Sequence, residues 1–122
     1  MNELVDRIVG NVGVERTIAE RAVGIILDFL ATEGPADKVQ ALLERLPGAD
    51  EAITAARADG GGGLFGGMGG IMGVGSRLMS VGLDMSEIQG VTRELISYAR
   101  EKAGDHDLNG IVDAIPGLGQ FI

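Results

Sequence analysis

One short run of this sequence has the residue types and spacing of a metal site. Residues 105–110 read Asp-His-Asp-Leu-Asn-Gly, and oxygen-bearing side chains at alternate positions followed by glycine open the calcium loop of an EF-hand. The twelfth position of that loop requires a bidentate glutamate, but here it is Pro116. Apolar residues from Leu108 onward also recur at helical spacing, which a calcium loop would interrupt. We therefore interpret Asp105 or Asp107 as the cap of a last helix and predict no metal site.

Other combinations of residues that could support catalysis are incomplete. His106 is the only histidine and cysteine is absent, so the chain lacks the usual ligands of a zinc site and has no thiol nucleophile. No serine lies in a Gly-x-Ser-x-Gly context. The glycine-rich residues 62–67 follow no predicted strand and precede no Gly-Lys-Ser/Thr, so they do not predict a nucleotide site. We expect a protein that is not an enzyme, with no catalytic residues and no cofactor.

Composition points to a small helical domain with an aliphatic core. The 122 residues are 45% apolar but only 3% aromatic, and the net charge is −8. Abundant alanine and leucine favour helices over strands. An acidic chain with scattered basic residues is a poor nucleic-acid binder, because phosphates require concentrated positive charge. The acidic N-terminal residues lack the features of a signal peptide, so the predicted location is the cytoplasm.

Three helices are predicted within residues 1–48, which form a first helical unit. Apolar residues recur there at intervals of three and four. Glycine and proline signals end the three segments: Gly13, Gly34-Pro35 and Pro47-Gly48. Beyond them, Asp50 is predicted to cap a short alanine-rich turn that reaches Ala58.

Residues 70–122 repeat this pattern and form a predicted second unit. A shift of 69 positions places Gly13 on Gly82 and Phe29 on Tyr98, with Pro47-Gly48 falling on Pro116-Gly117. The spacing agrees without gaps, although few residues are identical. Asp84 and Glu87 form a capping-box pattern that predicts the start of a long helix. We predict one all-α domain over 1–122, with about six helices in two three-helix units and an Ala/Gly-rich connector over 49–69.

A glycine-rich band over residues 60–75 has three competing interpretations. Ten of its sixteen residues are glycine, and glycine disfavours helix, although helix is expected to resume from about Gly69. The band could be a flexible linker, a close-packing oligomer surface or a contact with a membrane surface. It is too weakly apolar to predict a membrane span. Candidate interaction residues are the large apolar ones of this region and of the C-terminal tail: Leu64, Phe65, Met68, Ile71, Met72, Phe121 and Ile122.

The order of these features resembles a known type of protein. Gly13-Val14 before a helix, Leu46-Pro47-Gly48-Ala49-Asp50 after one, and Gly82-Leu83-Asp84-Met85 opening another are similar to small bacterial helical proteins of unknown function of the VcgC/VcgE-like type. The resemblance implies a helical fold and a bacterial origin. Its motifs are helix boundaries, so it implies no functional residues.

The expected function is a non-enzymatic interaction or assembly module that self-associates or binds a protein partner. Apolar residues in the glycine-rich band and the tail would be awkward on a free monomer. The alternative is a peripheral membrane or envelope-associated protein that contacts lipid through the Gly/Met/Phe-rich segment.

Overall fold

The computed structural model of the chain describes residues 2–46, 48–56 and 70–114, and these residues form seven α-helices and no strand. The helices are α1 Asn2–Val12, α2 Arg16–Glu33, α3 Ala36–Glu44, α4 Ala49–Ala56, α5 Gly70–Ser80, α6 Met85–Ala103 and α7 Asp105–Ala114. The all-α prediction is confirmed for this part of the chain. The number of helices exceeds the predicted six because of α4.

Helix α4 replaces the short turn that was predicted at the start of the connector. Alanine is the strongest helix former, and the carboxylates of Asp50 and Glu51 lie in the first turn, where they interact favourably with the helix dipole. Asp50 is therefore inside the helix and does not precede it as a cap. Ala49, Ile53 and Ala56 are buried at helical spacing, so α4 packs one apolar face against the protein.

The predicted start of α6 is confirmed in detail. Asp84 precedes the helix, and its Oδ1 accepts a hydrogen bond of 2.8 Å from the backbone N–H of Glu87. In return the backbone N–H of Asp84 donates to Oε1 of Glu87 at 3.0 Å. This reciprocal capping box satisfies two amide groups that the helix itself cannot pair. Leu83 and Ile88 are both buried beside it.

Glycine ends the helices where the backbone turns out of the helical conformation. Gly13 after α1 and Gly82 after α5 have φ of 88° and 111°, a region that residues with a Cβ rarely adopt. Gly104 separates α6 from α7 with φ of 91°. These three glycines therefore determine where the chain changes direction.

Helix α2 lies at the centre of the core. Every residue from Ala22 to Leu30 is buried, and α2 contacts α1, α3, α4, α5 and α6. A helix that is buried on all sides must be apolar nearly all round, and this stretch reads Ala-Val-Gly-Ile-Ile-Leu-Asp-Phe-Leu. Asp28 is the exception in this run.

Helices from the two predicted units are interleaved in one continuous core. Helix α1 packs on α6, α5 packs on α2, and α3 packs on α7. Side chains from both stretches form a single buried cluster. Residues before and after the connector therefore stabilise each other directly.

The contact between α2 and α4 is unusually close because of Gly24. A Cβ at this position would overlap the carbonyl oxygen of Ala52 and lie 3.2 Å from Cβ of Ala56. Only a residue without a side chain lets the two backbones approach this far. Gly24 thus determines how closely α4 packs against the central helix.

Candidate interaction site

The predicted interaction residues fall almost entirely outside the described part of the chain. Leu64, Phe65 and Met68 lie outside it, as do Phe121 and Ile122. The positions of Ile71 and Met72 are in the first turns of α5, whose described side chains begin at Val74. These assignments remain predictions.

The segment that opens like a calcium loop is helical. Asp105 begins α7, and successive residues of a helix point about 100° apart, so Asp105 and Asp107 project in different directions. The carboxylate of Asp105 is paired with Nε of Arg100 at 3.1 Å, and His106 is exposed. Among the described residues, no group of three His, Cys, Asp or Glu side chains is placed to hold a metal ion.

Two methionines are the exposed large apolar residues of the described chain. The side chains of Met79 and Met85 are 54% and 51% exposed, and among the described residues they are the large hydrophobics that remain in solvent. Met79 is near the end of α5 and Met85 begins α6, so both flank the turn at Gly82. We call Met79 and Met85 the methionine corner. Methionine is flexible and polarisable, which suits adaptable contacts with another protein.

A buried ion pair joins α2 to α5. Nη1 of Arg77 donates to Oδ2 of Asp28 at 3.2 Å, and the two side chains are 12% and 8% exposed. Nη2 of Arg77 is buried and donates to no acceptor in the described structure. Such a pair is strongly destabilising to break, because one charge would remain buried without a partner. The pair therefore links α5 directly to the central helix.

A second polar cluster fastens α1 to α6 at the surface. Nη1 of Arg7 donates to Oε2 of Glu101 at 2.7 Å, and its Nε lies 3.7 Å from Glu94. The hydrogen bond with Glu101 raises the pKa of Arg7 above its ordinary value. Arg7 and Lys102 also lie 5.7 and 5.4 Å from the centre of the Tyr98 ring. These charges are already engaged within the chain.

An open groove of about 420 Å³ lies between the end of α2, helix α3 and the start of α4. Its walls combine apolar and acidic side chains: Ala31, Ala36, Val39, Gln40, Leu43, Glu44 and Asp50. We call this the α2–α3–α4 groove. The sequence pattern does not predict this groove, because one of its walls is α4 and the pattern predicts a turn there.

The sequence did contain a signal for the buried ion pair, although its partners could not be deduced. Asp28 interrupts an apolar run that is otherwise typical of a core helix. A carboxylate in such a run requires a partner, and Arg77 is 49 residues away in the chain. Neither periodicity nor spacing connects two residues at this separation.

Comparison of the chain with protein-family models, curated proteins and solved structures finds no match. The search of the described helices for a membrane span also finds none that combines sufficient length and hydrophobicity. The resemblance to small bacterial helical proteins therefore remains an expectation drawn from sequence features.

Proposed function

We propose that this protein is a non-enzymatic interaction module that self-associates through the methionine corner. The observation that supports this proposal is that Met79 and Met85 are both about half exposed and flank the same turn. Removing apolar side chains from water is the main driving force of protein association. Two such side chains on opposite sides of one turn offer a compact anchor for a second copy.

The register of α5 extends this surface toward the glycine-rich band. Positions 72 and 79 are seven residues apart on one helix, which is close to two turns, so they share a face. Position 72, one of the candidate interaction positions, is therefore in helical register with position 79. This register supports a surface that includes the beginning of α5.

The proposal includes two similarly patterned three-helix units within the chain. In support, a shift of 69 positions brings the bounds of α1, α2 and α3 within one residue of those of α5, α6 and α7. If each helix of the first unit is replaced by its counterpart in the second, the contact of α1 with α6 becomes the contact of α5 with α2. Helix α3 contacts its own counterpart, α7. The arrangement is that of two units paired about an approximate twofold axis. Exchanging Asp28 and Arg77 for Ser and Ile, the residues at positions 97 and 8, tests this correspondence.

The test of self-association is the solution mass of the full chain and of the double variant Met79→Gln/Met85→Gln. Light scattering coupled to size-exclusion chromatography over a tenfold concentration range should give a discrete oligomer for the unaltered chain. The variant should dissociate at least about tenfold more readily, because glutamine keeps the length and helix propensity of methionine but not its hydrophobicity.

A matched control is Ser97→Gln/Asn109→Gln, which alters two exposed helical positions elsewhere. It should keep the mass of the unaltered chain. A monomer at every concentration would contradict self-association. A monomer that also floats with neutral liposomes would favour the alternative of lipid contact through the Gly/Met/Phe-rich segment, since charge cannot attract an acidic chain to such vesicles.

A further inference from the structure

The α2–α3–α4 groove has a floor that could hold the apolar part of a ligand. Val39 is buried at its base, and Ala31 and Leu43 are partly exposed beside it. A volume of about 420 Å³ is within the range of about 300–1,000 Å³ found for ligand sites. The groove is open to solvent, so it fits a peptide segment better than an enclosed small molecule.

The charged residues of the groove are all acidic. Glu44 and Asp50 are exposed at its rim, and among the described residues no lysine or arginine lines it. Neither carboxylate has an ion-pair partner among the described residues. Within the described part of the chain, these two negative charges are therefore available to a ligand.

The basic residues nearest in sequence point to another part of the protein. The side chain of Lys38 lies across Gly110 of α7. Nη1 of Arg45 donates to the backbone carbonyl of Lys102 at 3.5 Å, at the end of α6. The side chains of Lys38 and Arg45 thus face the second half of the chain, and neither neutralises the carboxylates on the groove side.

We infer that the α2–α3–α4 groove binds a basic peptide segment of a protein partner, with lysine or arginine side chains at the rim and an apolar residue on the floor. The long methylene stems of these cations can cover apolar surface while their charged ends reach the carboxylates. The net charge of −8 would attract such a segment over a distance comparable with the Debye length. A bare metal ion would make no use of the apolar floor.

This inference goes beyond self-association, because it concerns a different face and a different partner. The methionine corner is near Ile18, since a methyl group at Gly82 would lie 3.7 Å from Cδ1 of that residue. The groove reaches Ala31, thirteen residues further along α2, which is about 20 Å along the helix axis. Each surface can therefore be removed without altering the other.

The experiment is a fluorescence anisotropy titration of the full chain into a labelled eight-residue peptide in which lysine and leucine alternate. Binding should saturate and weaken as salt is added, because the attraction is between exposed charges. The variant Glu44→Gln/Asp50→Asn, which keeps side-chain shape and removes two charges, should weaken binding at least about fivefold.

The matched control is Glu15→Gln/Asp113→Asn, which removes two exposed carboxylates that do not line the groove and changes the net charge equally. It should change the affinity less than about twofold, since long-range attraction is screened by salt. Equal weakening by both variants would overturn the inference, because it would indicate unspecific attraction to an acidic protein. Absence of saturable binding by the unaltered chain would also overturn it.

Two further measurements separate the groove from the methionine corner. A peptide with serine in place of leucine should bind at least about fivefold more weakly, because it cannot use the apolar floor. Met79→Gln/Met85→Gln should bind the lysine–leucine peptide with unchanged affinity. Retained peptide binding by a monomer would support the groove while rejecting self-association.

Discussion

The bounds of α2 and α6 agree within one residue under a shift of 69 positions, yet only α2 contains a long stretch, residues 22–30, in which every residue is buried. Their burial agrees along most of their length, including Ala22 with Val91 and Phe29 with Tyr98. The difference is on one face. Gly24 and Asp28 of α2 are buried, whereas the residues 69 positions later, Arg93 and Ser97 of α6, are exposed.

Two further contacts account for the burial of Gly24 and Asp28 on that face of α2. Helix α4 lies over Gly24, and Arg77 of α5 forms its ion pair with Asp28. Among the described residues, α6 has neither contact, and the long side chain of Arg93 would prevent a helix from approaching it as α4 approaches α2. The comparison shows that two helices with similar apolar patterns become central or peripheral through a few side chains on one face.

The largest expected effect comes from giving α2 the residue that α6 has at the ion-pair position. Asp28→Ser should lower the free energy of unfolding by about 3 kcal/mol, because it leaves the guanidinium of Arg77 buried without its carboxylate. Urea denaturation followed by circular dichroism measures this loss.

The double variant Asp28→Ser/Arg77→Ile sharpens this comparison, because position 8 of α1, 69 residues before Arg77, is isoleucine. Replacing a buried pair by apolar packing is often neutral, so the second change should recover at least half of the loss. A double variant as unstable as Asp28→Ser alone would count against the correspondence of position 28 with position 97 and of position 77 with position 8.

The next effect concerns the close contact of α2 with α4. Gly24→Ala should cost about 2 kcal/mol, because the added methyl group would overlap the backbone of α4 and displace that helix. Gly10→Ala is the control, since a Cβ there meets nothing within 4 Å and alanine favours helix by up to about 1 kcal/mol. Thermal and urea unfolding should therefore shift in opposite directions for the two variants. Stabilisation by both would mean that α4 can move away at little cost.

The smallest effect compares how the two helices begin. Asp84→Ala removes the hydrogen bond that Oδ1 of Asp84 accepts from the backbone N–H of Glu87, which is one half of the α6 capping box, and should cost about 1 kcal/mol. Glu15 precedes α2 without any side-chain hydrogen bond to the helix, so Glu15→Ala should change stability by less than about 0.5 kcal/mol. The same unfolding measurements apply. Equal losses for the two variants would show that the capping box contributes little in this protein.

Helix boundaries were the most predictable part of the fold, because they depend on neighbouring residues. The capping residues of α6, the turn at Gly13 and the resumption of helix near position 70 all agree with the sequence pattern. Helix α4 was wrongly predicted as a turn. The adjoining glycine band drew the interpretation toward a connector, although Ala49, Ile53 and Ala56 already had helical spacing.

The candidate sites were less predictable because they depend on distant residues. Met79 and Met85 are ordinary apolar residues in the sequence, and only packing shows that they remain exposed while Leu78 and Leu83 become buried. The acidic rim of the groove depends on Lys38 and Arg45 turning toward the second half. Side-chain direction on this scale does not follow from spacing along one helix.

Local chemistry by itself determined that the described chain is helical and where most helices begin and end. Alanine-rich composition, apolar residues at intervals of three and four, and glycine at positive φ act within one or two turns. Tertiary structure decided that α2 is central, that Asp28 pairs with Arg77, and that α1 packs on α6. The physical reason is that an apolar face specifies burial but not its partner, which shape and charge select only when the distant helices meet.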